Sequence, residues 1–141
     1  MKILVPVDGS PFTKRMLAYL AAHDEWLGDQ QEYTLLHVSP ALPPRAVSAL
    51  DKDVLKAYYA EESEKVFKPI RSFFAKQKIQ RVEFVAKVGT AADVIADVAN
   101  KGRFDLLVMG SHGHGTFGKL VLGSVTTKVM AHCETPVLVV R

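Results

Sequence analysis

Phe104-Asp105-Leu106-Leu107-Val108-Met109, then Gly110-Ser111-His112-Gly113-His114-Gly115-Thr116-Phe117-Gly118, and shortly after it Gly123-Ser124-Val125-Thr126, form the most telling stretch of this chain. The apolar run reads as a strand, the glycines as a loop, and Val125 to His132 as a helix. Strand, glycine loop and helix start in that order make a pocket for phosphate. Glycines let backbone N–H groups approach an anion closely, and a helix start adds unpaired donors and a positive dipole end.

Working outward, Ile3 to Val7 is a near-continuous apolar run, as expected of a strand covered on both faces. Ser10 and Pro11 open a helix as N-cap and N1, with Met16, Leu17, Leu20, Ala21 and Leu27 on its apolar side. Tyr33 to Val38 is a second strand. Pro40, Pro43 and Pro44 mark a loop, and Ser39 to Ala46 reads as disordered. A helix is expected from Val47 to Lys78, with Leu50, Val54, Tyr58, Val66, Ile70 and Phe73 at helical spacing and Pro69 kinking or splitting it. Arg81 to Val88 alternates apolar and polar residues like an edge strand. Gly89 turns the chain, Thr90 caps a further helix with Asp93 in the box position, and Gly102 stops it. Phe104 to Met109 and Val137 to Val140 complete the strands, and Ser124 is placed to cap the helix between them.

Strands that alternate with helices imply a parallel sheet with helices on both faces. If the first strand is central and the winding reverses after the third, the first and fourth strands are neighbours at the switch point. Their carboxyl ends are Asp8 and Gly110. Ligands bind in the crevice at such a point, so the Asp8 turn and the glycine loop are expected to meet across one pocket.

Length and composition narrow the field. A chain of 141 residues, 48% apolar and 23% charged, is expected to be one α/β domain spanning residues 1–141. Cys133 is the only cysteine, so no intrachain disulfide forms; a reducing, cytoplasmic setting fits, with Cys133 a buried filler. The opening Met1 to Asp8 is too short for a signal peptide, and no apolar run approaches the ~20 residues of a membrane span. A net charge of +3 suits a small anion, while the lack of a basic run argues against nucleic acid. Lys65, Lys68, Arg71, Lys76 and Lys78 read as a solvated helix face, and His37 as a packed or hydrogen-bonded residue.

Three glycine patterns compete for the loop. Gly113-x-Gly115-x-x-Gly118 matches the dinucleotide fingerprint, but it follows the fourth strand and has no ribose-binding acid downstream. Gly113, Gly118 and Lys119 fit a Walker A loop except that Leu120 stands where Ser or Thr must hold magnesium. The third pattern, Gly110-x2-Gly113-x9-Gly123-Ser124, resembles the nucleotide-binding signature of the universal stress protein family. The resemblance extends to Ile3-Leu4-Val5-Pro6-Val7-Asp8-Gly9-Ser10, Leu36-His37-Val38, Val88-Gly89, the run Asp105 to His112, and Thr135 to Val140.

That resemblance implies a doubly wound, five-stranded parallel sheet in the order 3-2-1-4-5, of the adenine nucleotide alpha hydrolase-like type, that binds ATP. It implies that Pro6, Val7 and Asp8 line the nucleoside end and that the Val38 backbone meets adenine. Met109, Gly110, Ser111, His112, Gly113, His114, Gly115 and Thr116 would run past ribose and phosphates, and Gly123, Ser124, Val125 and Thr126 would receive the phosphates. Position 114 often carries a longer basic residue in the family. A mostly neutral His114 implies phosphate binding that strengthens toward pH 6. His112-x-His114 has no third ligand beside it, so no protein-held metal is expected, and Mg2+ would arrive on the phosphates. The implied role is a regulatory, stress-response ATP binder, a homodimer paired through Val137 to Val140. The chain shows neither a nucleophile–base pair nor an arginine near the loop, so at most slow ATP hydrolysis is expected. A slow ATPase or nucleotidyl-transfer enzyme of a related fold, and a module that binds no nucleotide, are the alternatives.

Overall fold

The computed structural model describes residues 1–114 and 122–141. Its elements are β1 (Lys2–Pro6), α1 (Pro11–Ala22), α2 (Asp24–Leu27), β2 (Glu32–Ser39), α3 (Pro44–Ala49), α4 (Lys52–Lys76), β3 (Val82–Val88), α5 (Ala91–Lys101), β4 (Leu106–Gly110), α6 (Ser124–His132) and β5 (Val137–Val140). The strands form one parallel sheet in the order β3-β2-β1-β4-β5, as the resemblance implied.

The strand period of two sorts the core into two layers. Ile3, Val5, Tyr33, Leu35 and Val108 pack against Met16, Leu17 and Leu20 of α1 and Phe67, Ile70 and Phe74 of α4. Leu4, Leu36, Leu107 and Met109 face the other way, onto Ala92, Ile95 and Ala99 of α5 and Val129 of α6. The winding therefore reverses after β3, which leaves the carboxyl ends of β1 and β4 side by side without a connection between them.

Several expected boundaries move. The first helix stops at Ala22, because His23 leaves helical geometry; its Nδ1–H donates to the Tyr19 carbonyl at 2.9 Å and its ring stacks on Tyr19. Leu27 then belongs to the short α2, tied down by the Tyr33 hydroxyl, which donates to the Leu27 carbonyl. Residues 39–46 are ordered rather than disordered: Ser39 ends β2 and is buried, Pro44 starts α3, and the Leu42 N–H donates to the Tyr59 hydroxyl at 2.9 Å. The expected helix from 47 to 78 is interrupted at Leu50, whose backbone is extended, and resumes after Asp51. Pro69 does not split α4. Its ring lies on the exposed face, while Phe67, Ile70 and Phe74 anchor the helix to the sheet on both sides of it. Ser10 and Thr90 stand at N-caps but make no capping side-chain hydrogen bond. Gly123, not Ser124, is the N-cap of α6.

Candidate functional site

The site is built on the ends of β1 and β4. Beyond Pro6 the Val7 N–H still donates to the Leu36 carbonyl at 2.8 Å, and then the chain turns at Asp8-Gly9. Gly9 has φ +76, a left-handed conformation that side chains resist, and this sharp turn brings α1 back beneath the sheet end. The Asp8 carboxylate sits inside the turn. Its Oδ1 accepts from the Ser10 N–H at 2.9 Å and the Thr13 hydroxyl at 3.1 Å, and its Oδ2 accepts from the His114 N–H at 3.1 Å. Burial pushes the Asp8 carboxyl up, but the hydrogen bonds from Ser10, His114 and Thr13 outweigh it and hold the group below its ordinary value.

The bond to His114 joins the two loops directly. His114 adds a second contact: its Nε2–H donates to the Asp8 carbonyl at 2.8 Å. Gly113 suits this closure: a Cβ there would lie 2.5 Å from the Asp8 Oδ2 and displace the carboxylate from its bonds. Gly110 plays a similar part at the strand end. A Cβ there would come within 2.9 Å of the Phe12 Cβ, so the start of α1 packs directly on the end of β4.

On the far side of the glycine loop, α6 is fixed to the same strand end. The buried Thr126 hydroxyl donates to the Gly110 carbonyl at 3.0 Å, and the Gly123 N–H donates to the Ser111 carbonyl at 2.7 Å. The first α6 N–H to find an intrahelical acceptor is that of Thr127, which donates to the Gly123 carbonyl at 3.0 Å. The N–H groups of Ser124, Val125 and Thr126 precede it and lack that partner by the geometry of a helix start.

These elements enclose a cleft of about 340 Å³. Of the residues expected to bind a ligand, Pro6, Val7, Asp8, Val38, Met109, Gly110, His112, Gly113, His114, Gly123, Ser124, Val125 and Thr126 line it together. Ser111 lies behind the wall: it is buried, its N–H donates to the Val140 carbonyl at 2.8 Å, and its hydroxyl meets His112 Nδ1 at 2.9 Å. Gly115 and Thr116, with Gly118, Lys119 and Leu120, lie outside the described residues. The expected convergence of Asp8 with the glycine loop is therefore what the structure has.

The cleft also takes in residues that the sequence did not assign to the site: Thr13, Met16, Leu36, His37, Pro40, Ala91 and Ile95. Leu36 shares a strand face with Val38, two residues on, which the period of a strand could have shown. Ala91 and Ile95 stand one turn apart at the start of α5 and look like ordinary core positions. With Leu36, Val38 and Met109 they make one end of the cleft apolar. The other end is polar, with Asp8, Thr13, the glycine backbone and the α6 start. Among the described residues no group of three His, Cys, Asp or Glu side chains is placed to hold a metal ion.

An open parallel sheet with a two-ended cleft at its winding reversal, closed by a glycine loop and a helix start, defines the doubly wound α/β proteins that take ligands at the carboxyl ends of their strands. Comparison narrows the class. The model of the universal stress protein family matches residues 1–141, and the chain belongs to that family. A relative from Thermus aquaticus, the universal stress protein in the QAH/OAS sulfhydrylase 3' region, is 32% identical over 139 residues, covering 99% of this chain and 97% of its own. The solved structure of MJ0577, a universal stress protein of Methanocaldococcus jannaschii, is similar with a TM-score of 0.77 at 28% identity, over 99% of this chain and 94% of that one. The universal stress protein from Archaeoglobus fulgidus, solved in complex with dAMP, has the same fold with a TM-score of 0.69 at 19% identity, over 100% and 98% of the two chains.

Proposed function

We propose that this protein binds an adenine nucleotide, ATP among them, in the cleft between the β1 and β4 ends, and that it acts as a nucleotide-dependent regulator in a stress response rather than as a rapid enzyme. One observation carries the reading: a cleft of about 340 Å³ whose apolar end suits a purine and whose polar end finishes on glycine backbone and the α6 N-terminus. That volume falls in the range of small-molecule sites, roughly 300–1,000 Å³. The unpaired N–H groups at Ser124 to Thr126 supply the donors that phosphates need without a cationic side chain. The dAMP complex of the Archaeoglobus relative supports adenine as the base.

In this reading the base lies among Leu36, Val38, Ala91, Ile95 and Met109, the ribose near Asp8, and the phosphates at Gly123 to Thr126. A magnesium ion would be carried by the phosphates, since the Asp8 oxygens already accept from Ser10, Thr13 and His114. Residues 1–141 act as one universal stress protein domain, in the cytoplasm, paired into a homodimer through β5. Among the described residues no helix is long and apolar enough to cross a membrane.

Calorimetric titration with ATP, ADP and AMP tests the reading, with Gly113→Val as the control variant. Bulk at position 113 meets the Asp8 carboxylate before it meets any ligand, so the variant should part the two loops and weaken binding at least about tenfold, the loss of roughly one or two hydrogen bonds. Wild-type affinity for ATP in Gly113→Val would place the site elsewhere.

A further inference from the structure

We propose that His37 is a positioning residue for the base: by holding the Val7 carbonyl, its ring keeps the Val38 backbone N–H free to face the cleft. The proposal rests on the adenine-nucleotide reading above and extends it to how the base is chosen.

The argument comes from the ladder. In a parallel pair only alternate residues of a strand bond to a given neighbour. Along β2 the even-numbered residues serve β1: the Glu32 N–H donates to the Met1 carbonyl at 2.9 Å, and the Leu36 carbonyl accepts from Val7 at 2.8 Å. The odd-numbered residues serve β3: the Tyr33 N–H donates to the Arg81 carbonyl at 2.8 Å, and the Ser39 carbonyl accepts from Gly89 at 2.9 Å. Val38 therefore turns its N–H and C=O toward β1, and its next rung would be from its N–H to the Val7 carbonyl. Among the described residues that rung is not made. The Val7 carbonyl accepts instead from His37 Nδ1 at 2.9 Å. A carbonyl cannot donate, so Nδ1 carries the proton. The ring is held edge-on to the buried Phe67, with centroids 6.1 Å apart and planes at 83°. Beyond Val7 the chain turns away at Gly9, before it would offer Val38 a further rung.

The result is one amide donor and one carbonyl acceptor, side by side on Val38, at the apolar end of the cleft. They complement the N1 acceptor and 6-amino donor of adenine. With ribose and phosphates fixed at the other end, the N1–H and O6 of hypoxanthine meet both groups with the wrong polarity. A buried polar pair left unmatched is what makes such a site selective.

Two measurements test this. In the ligand-free protein, amide exchange at Val38 should be faster than at the laddered Leu36. In His37→Leu the freed Val7 carbonyl should accept the Val38 N–H. Exchange at Val38 should then slow, AMP affinity should fall about tenfold, and the preference for AMP over IMP should collapse. His37→Asn, which offers an amide N–H close to the position of Nδ1, should restore both. A protected Val38 amide in the wild type overturns the proposal without any ligand, and even if His37→Leu does not fold. An unchanged AMP-to-IMP ratio in folded His37→Leu overturns it while leaving the nucleotide reading intact. Failure of the wild type to bind AMP or ATP, with Val38 still exchanging fast, defeats the nucleotide reading and with it the role in base choice.

Discussion

Asp8 does its work by accepting rather than by reaching outward. Ser10 and Thr13 occupy one carboxylate oxygen, and His114, from the opposite loop, donates to the other. Because the folded group titrates below its ordinary value of 3.8, it adds stability that is complete above the unfolded value and disappears as pH falls through the lower folded one. Asp8→Asn should therefore lower the urea midpoint at pH 7 and flatten its decline below about pH 4. An acid limb as steep as that of the wild type would mean that Asp8 is not held by these bonds. The meeting of the Asp8 turn with the glycine loop was legible in the sequence, since both follow apolar strands that the topology sets side by side. Thr13 was not. A polar residue in the first turn of a helix looks solvated, and only the sharp turn at Gly9 folds it back onto the Asp8 carboxylate.

At the scale of elements, the join between β4 and α6 sets the shape of the polar end. Thr126 spends its hydroxyl on the Gly110 carbonyl and is buried, so its side chain holds the helix start against the strand end. Thr126→Val keeps the volume but leaves that carbonyl without its partner. It should destabilise the fold by about 1–3 kcal/mol in urea denaturation and weaken ATP binding in parallel. Full stability in the variant would show that the bond to Gly110 contributes nothing. Helix ends were the least legible part of the sequence. Gly123 and Ser124 both suit a cap, and the extended backbone of Gly123 selects it. Pro69 argued for a broken helix, yet aromatic and aliphatic anchors on both sides of it carry α4 through.

At the scale of the molecule, alternation of strands and helices pointed to a parallel sheet, while the order of its strands came from the resemblance to the universal stress protein family; the edge character of β3 followed from its alternating residues. The apolar end of the cleft was hidden, because Ala91 and Ile95 are indistinguishable by type from residues that only pack. The open edge of β5 carries a further expectation. Leu107 donates to the Pro136 carbonyl and Ser111 to that of Val140, so β5 bonds to β4 through its even-numbered residues and turns the Val137 and Val139 amides outward. Val139→Pro removes an outward donor without touching the β4 ladder. It should convert a dimer to a monomer in light scattering while AMP still binds; an unchanged mass would place any dimer contact elsewhere. Amide chemical-shift mapping during an AMP titration reports whether adenine nucleotide lies between the β1 and β4 ends, as proposed. Saturable shifts should gather at Val7, Asp8, Val38, Gly110 to His114 and Gly123 to Thr126. No shifts at millimolar AMP, or shifts gathered at the amino ends of the strands, would contradict it.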